Sequence, residues 1–225
     1  MSNEYDKRLF SGGLRERIHE SRFRWLEQQT KGLHGSVLEL GCFNARSLNY
    51  LSFQPTRYLG LDAGWEGGLD EAILKYPKFS FKASTNPNDI VGSWDIGLAL
   101  ETLEHLPRPM VLDNYLDKLS KHTRICIFTV PMEVGPLFAA KFIYKKYVCR
   151  EPTKHTFREF MWQTFGKCNL VEQDNHRGFD YRQLINLIRK YFYVEKIEGV
   201  HASLPQLLNT QIGIVARSQH LNYSQ

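Results

Sequence analysis

Short apolar runs alternate along the chain with longer amphipathic ones, and the two have different periods. The segment GGLRERIHESRFRWLEQQTKG sets Leu14, Ile18, Trp25 and Leu26 among charges, the spacing of a helix that Gly32 ends. SVLEL, at 36–40, is the first strand, and NARSLNYL predicts a helix beginning near Asn44. Strand RYLGLD follows, then a helix over LDEAILKY introduced by Gly67 and Gly68, then strand FSFKAS. After the turn-rich TNPNDIVGS, strand WDIGLAL runs into ETLEHLPRP, MVLDNYLDKLSKH reads as a helix, and RICIFTV is the fifth strand. Nearer the C-terminus, YRQLINLIRKY puts Tyr181, Leu184, Ile185 and Ile188 on one helical face, and FYVEKIEGV and TQIGIVARS read as an antiparallel strand pair.

Five βα units predict a doubly wound α/β fold: a mostly parallel, seven-stranded sheet covered on both faces, with the antiparallel pair at its C-terminal edge. Ligands of such sheets bind beyond the carboxyl ends of the strands, so Gly41–Ala45, Asp62–Gly64 and Leu100–His105 are expected to converge. The stretch 132–178 is longer than a simple crossover and is read as a lid inserted in one domain spanning 1–225. Its PLFAAKFIYKKYV mixes Phe138, Phe142, Ile143 and Tyr144 with Lys141, Lys145 and Lys146. That mixture suits a cover over an amphiphile or a peripheral membrane contact through 136–148. A helix packed on its own domain with a lysine edge in water is the plainer alternative. KHTFREFMWQTFG adds His155, Arg158 and Trp162, which suit an anionic, ring-shaped or sugar-like acceptor, although core aromatics look the same.

At 225 residues, with 42% hydrophobic and 13% aromatic content, the chain fits one globular domain with a full core. The start, MSNEYDKRLFSGG, lacks a basic-then-apolar leader pattern, and no run approaches the roughly 18 apolar residues of a membrane span. A cytoplasmic protein, at most touching a membrane surface, is expected. Cys42, Cys126, Cys149 and Cys168 stand far apart, with no Cys-x-x-Cys pair and no His cluster at zinc-ligand spacing, so reduced thiols and no metal are expected. The net charge of +5 admits a phosphate-bearing substrate, nucleic acid or a membrane surface as partner, without requiring any of them.

The turn in SVLELGCFNARSLNYL resembles a phosphate loop except that Phe43 and Ala45 stand where glycines usually do. A dinucleotide's pyrophosphate needs glycines there to reach backbone amides. A ligand without phosphate needs only Gly41. VLELGC, YLGLDAG, WDIGLALETLEHL and ICIFTVP, in this order, resemble the class I S-adenosylmethionine-dependent methyltransferases over Arg22–Pro131, and more weakly from His176. Within them the chain is similar to the small-molecule branch of ubiquinone-biosynthesis O-methyltransferases, which also carry Glu-x-x-Glu-His after the fourth strand.

The resemblance implies S-adenosylmethionine as cofactor. Glu39 would face its α-ammonium, with Gly41 and Cys42 passing close beside it, and a salt-bridged strand-end acid is the plain alternative. Asp62, 23 positions after Glu39, and Ala63 would face the ribose, and an ordinary turn aspartate is the alternative. Leu100 and Glu101 would line the cofactor and Arg22 would meet its carboxylate. Ser84 aligns with the family's adenine-binding acid, with Asp89 a remote substitute. Methyl transfer from a sulfonium is an in-line displacement, and a hydroxyl acceptor also needs a base. His105, His155 and His176 are the candidates.

The acceptor is expected to be an oxygen or nitrogen of a small metabolite, saccharide or lipid-linked intermediate. An RNA methyltransferase and a noncatalytic cofactor-binding protein stay open, the latter because Phe43 and Ala45 also fit a fold that has lost activity. Against nucleic acid, the fourth strand lacks an Asn/Asp-Pro-Pro-aromatic sequence and no cysteine follows strands four or five as a nucleophile.

Overall fold

The computed structural model describes residues 12–107, 109–150, 152–174, 176–201 and 208–220; the leader reading of the first residues and the side chain of Leu14 lie outside the described residues. The helices are α1 (Gly13–Gln29), α2 (Gly68–Lys75), α3 (Met110–His122), α4 (Gly135–Ile143), α5 (Phe157–Thr164) and α6 (Tyr181–Ile188). The strands are β1 (Val37–Leu40), β2 (Tyr58–Asp62), β3 (Ser80–Ala83), β4 (Trp94–Leu100), β5 (Thr123–Pro131), β6 (Phe192–Gly199) and β7 (Gln211–Ser218).

All seven strands form one sheet in the order β3-β2-β1-β4-β5-β7-β6. The first five are parallel, and β7 runs antiparallel to both β5 and β6, as the patterning predicts. Alternation along each strand sorts side chains between two cores. Leu38, Leu40, Phe128 and Val130 join Leu112, Leu116 and Leu119 of α3 and Leu184, Ile185 and Ile188 of α6. Val37, Ile96, Leu98 and Ile127 face the other way and meet Phe23, Trp25 and Leu26 of α1. Helix α1 lies so close to β7 that a Cβ on Gly213 would stand 2.3 Å from the Trp25 ring, and the indole nitrogen donates to Glu198 Oε1 at 2.6 Å. That contact ties the first helix to the antiparallel edge.

The expected helix after β1 is replaced by a single 3-10 turn, Arg46–Asn49. Ala45 takes the left-handed region at φ 54°, from which a right-handed helix cannot run back, and Tyr50 at φ −119° ends the turn. The crossover after β3 is likewise one 3-10 turn, Pro87–Asp89, whose Asn88 N–H donates to the Asn86 side chain at 3.0 Å. Among the described residues, only the connections after β2, β4 and β5 carry α-helices.

Register decides where the ligand end lies. Leu40 pairs with Leu61 on one side and Ala99 on the other, so Gly41, Asp62 and Leu100 emerge together at one rim, between the two strands where the sheet order reverses. Among the described residues no helix is long and apolar enough to cross a membrane.

Candidate functional site

A cleft of about 890 Å³ opens at this rim. Arg22, Glu39, Gly41, Cys42, Asp62, Ala63, Ser84, Leu100 and Glu101, the residues the sequence nominates for the cofactor, all line it, as does His105.

The loop after β1 is built on left-handed residues: Gly41 at φ 65°, Phe43 at 48° and Ala45 at 54°. Only the first is a glycine, and it has a second reason to be one. A Cβ there would stand 2.3 Å from Thr102 Oγ1, whose hydroxyl donates to the Leu40 carbonyl at 3.1 Å. Phe43 and Ala45 hold an unfavourable region at about 1–2 kcal/mol each. The loop's bonds hold them there: Phe43 N–H donates to Asp62 Oδ2 at 2.9 Å and Ala45 N–H to the Cys42 carbonyl at 2.7 Å. The Phe43 ring packs against Gly68 at the start of α2, which leaves the cleft open.

Glu39 is buried on the α1 face of β1. The Ser47 hydroxyl and the Tyr58 hydroxyl, the latter at 2.5 Å, both donate to Oε2, so no described residue bonds Oε1. Burial raises its pKa to about 7; the two hydroxyls and Arg22 oppose that shift and Asp62 reinforces it. Asp62 accepts from loop amides on both oxygens, Phe43 N–H on Oδ2 and Gly64 N–H at 2.9 Å on Oδ1, which fixes the carboxylate at the rim. Ser84 sits beside it, its N–H on the Asp62 carbonyl at 2.7 Å. Asp89 is held by Lys82 at 2.6 Å and by the Ser84 hydroxyl, and reaches the cleft only through Ser84. Arg22 is buried with its guanidinium 3.9 Å from Glu101, and its Nε has no partner among the described residues.

Glu101 and His105 of the cleft lining adjoin a second group of polar side chains, Glu104, Glu133, Lys141 and His176, which lie outside that lining. Glu101 follows β4 in the left-handed region at φ 56°, and burial raises its pKa against the pull of Arg22 and Lys141. Glu104 is fully buried, and burial together with Glu101 lifts its pKa well above the carboxylate range. His105 and His176 meet edge to face, ring centres 5.1 Å apart. His176 Nδ1 lies 3.7 Å from Glu133 Oε1, which also takes a bond from Lys141 at 2.6 Å. Partial withdrawal from water lowers the His176 pKa despite Glu133.

His155 goes elsewhere. Its ring packs on Phe138 and Phe142 and its Nε2 meets Gln163 Oε1 at 3.0 Å, away from the cleft lining. Gln163 is the hub of this region: its amide donates to the carbonyls of Glu133 at 2.9 Å and His176 at 3.2 Å, and its oxygen accepts from Gly178 N–H at 3.0 Å. Sequence reading missed Gln163, Ser47, Tyr58 and Thr102. Alternation along β2 puts Tyr58 on the face of Gly60, the register partner of Glu39, and this was the one signal available for it. The others are set by tertiary contact.

No protein-family model matches the sequence, and no curated protein matches it. Solved structures do. An S-adenosylmethionine-dependent methyltransferase from Clostridium acetobutylicum is similar with a TM-score of 0.66 and 10% identity over 96% of each chain. The N-methyltransferase NodS from Bradyrhizobium japonicum, in complex with S-adenosyl-L-homocysteine, gives 0.58 and 12% over 94% of this chain and 91% of its own. The small RNA methyltransferase HEN1 gives 0.61 and 13%, over 94% of this chain and 26% of its own. The chain has the Rossmann-like fold of the S-adenosylmethionine-dependent methyltransferases.

Proposed function

We propose that the protein transfers a methyl group from S-adenosylmethionine to an oxygen or nitrogen of a small metabolite, saccharide or lipid-linked acceptor. One observation carries this reading: a single cleft of about 890 Å³ is lined by two strand-end carboxylates, Glu39 and Asp62, and by a buried arginine, Arg22. The donors present fit the cofactor's ends. Glu39 keeps one oxygen clear of bonds and suits an α-ammonium, Arg22 keeps an unpartnered nitrogen and suits a carboxylate, and Asp62 suits vicinal ribose hydroxyls. Gly41, with no room for a side chain, lets the backbone pass beside the amino-acid tail. Ser84 and Thr85 present hydroxyls where an adenine edge would lie.

When bound, the cofactor supplies an electrophilic methyl whose thioether leaves neutral, so the protein's task is to align the acceptor and manage its proton. His105, which lines the cleft, and His176 against it are proposed to meet that acceptor. The segment 132–178 is proposed as the wall on this side. Ile143, Tyr144, Tyr147 and Val148 are exposed at the end of α4, beside Lys145 and Lys146. This surface favours an amphiphilic or lipid-linked acceptor, or a peripheral membrane contact through 136–148.

The test is calorimetry with S-adenosylmethionine. Asp62→Ala removes charge-assisted bonds and is expected to weaken binding about tenfold or more, with the domain still folded. Unchanged affinity would remove the ribose assignment, and absence of any heat in the wild type would remove the reading.

A further inference from the structure

Ser84 lines the cleft, and the bonds around it all have a fixed direction. Its hydroxyl donates to Asp89 Oδ2 and accepts from Asn86 N–H at 3.0 Å. Its own N–H donates to the Asp62 carbonyl at 2.7 Å, which fastens it beside the proposed ribose carboxylate. Asp89 is held in turn: Lys82 Nζ donates to Oδ1 at 2.6 Å, and Asp89 N–H donates to the Asn86 carbonyl at 3.0 Å. The Lys82 and Ser84 bonds hold the Asp89 pKa below its ordinary value, so Oδ2 carries no proton to give back. A serine hydroxyl has one proton and two lone pairs. With the proton on Asp89 and one lone pair facing Asn86 N–H, the second lone pair meets no described residue, and Ser84 can only accept from a ligand in the cleft. Burial, and after it the charge of Asp89, raises the Tyr115 pKa, which brings that ring of α3 to the same corner as a wall of the cleft.

We propose that Asp89 is a positioning residue that sets the purine preference of the cleft: by taking the Ser84 proton it makes Ser84 an acceptor for the 6-amino group of adenine and turns away a 6-oxo purine. This rests on the proposed cofactor reading, which puts the adenine edge beside Ser84. A 6-oxo group would set its own lone pairs against the remaining one of Ser84 and leave both without a proton, which weakens binding about tenfold or more. The two purines have nearly the same shape, so packing alone separates them little. What separates them at this edge is the direction of one hydroxyl proton, and Asp89 decides it without touching the ligand.

The test compares S-adenosyl-L-homocysteine with S-inosyl-L-homocysteine, its 6-oxo counterpart, by calorimetry on the full chain. The wild type should prefer the amino compound by about tenfold or more. In Asp89→Asn, Lys82 draws the amide oxygen and the amide nitrogen turns to Ser84, so the hydroxyl proton is released toward the cleft. The preference should then fall about tenfold or more, and Ser84→Ala, which has no proton to direct, should fall between the two. The inosyl compound also carries a proton on N1, but its surroundings are the same in every variant, so the change in the ratio is the decisive reading. Damage to the turn alone would weaken both compounds alike. Equal affinities in the wild type, or a ratio that Asp89→Asn leaves unmoved, would overturn the proposal. Should that variant fail to fold, an unmoved ratio in Ser84→Ala would overturn it instead. A wild type that binds neither compound removes the cofactor reading along with this one, whereas tight binding of the amino compound with an unmoved ratio removes only the role of Asp89.

Discussion

The proposed pairing of Glu39 with the cofactor's α-ammonium makes affinity depend on pH in a direction that the site determines. The Glu39 pKa stands at about 7 against an ordinary 4.5, because β1 buries it. That shift corresponds to about 3 kcal/mol against the charged form. Between about pH 4.5 and 7 the folded protein therefore binds more protons at this group than the unfolded chain does. The group's contribution to stability is full below the lower value and is lost as pH rises through the upper one.

An α-ammonium reverses the balance, because it pairs with the carboxylate. Binding then requires the ionised fraction, and the apparent Kd is the intrinsic value divided by that fraction. With a pKa of about 7, roughly 3% is ionised at about pH 5.5 and half at about pH 7, so S-adenosylmethionine should bind roughly fifteenfold more tightly at the higher pH. By about pH 7.7–8.0 the cofactor's own α-amino group is half deprotonated, which limits the window. Calorimetry in two buffers of different ionisation enthalpy should read about one proton released per binding event at the acidic end and about half at pH 7. Glu39→Gln should bind more weakly and lose the slope. A flat affinity in the wild type, or an equal slope in Glu39→Gln, would refute the assignment of the α-ammonium to this carboxylate.

Two further substitutions test the supports of the site. Gly41→Ala combines left-handed backbone strain with a Cβ 2.3 Å from Thr102 Oγ1, and should lower stability by about 2–4 kcal/mol in urea unfolding, with part recovered by adding Thr102→Ala. Gln163→Leu leaves the Glu133 and His176 carbonyls and the Gly178 amide without their partner. At about 1–3 kcal/mol for each buried group left unsatisfied, a loss of about 3 kcal/mol or more is expected in the same assay, and a loss under about 1 kcal/mol would show that water replaces the amide.

The sheet was legible because its strands are short, mostly apolar runs bounded by turn residues. The convergence at the rim was legible for a related reason: strand-end residues such as Glu39, Asp62 and Leu100 need only the strand order to be placed. The helix expected from Asn44 failed where a backbone conformation, the left-handed Ala45, overrode a permissive sequence. The proposed acceptor end was less legible still. His105 and His176 lie far apart in the chain, so no spacing rule joins them, and His155, which looks equivalent to them in the sequence, is drawn into the α4–α5 core by Phe138, Phe142 and Gln163.

Gln163 has a consequence for how the proposed acceptor wall evolves. One amide fastens the loop of Glu133, the loop of His176 and helix α5 to each other, so no one of these pieces is at liberty to shift by itself. New acceptor preferences must then arise by exchanging side chains on a frame of constant shape. Diversity among descendants of this chain should gather at the exposed rim and spare the buried glutamine.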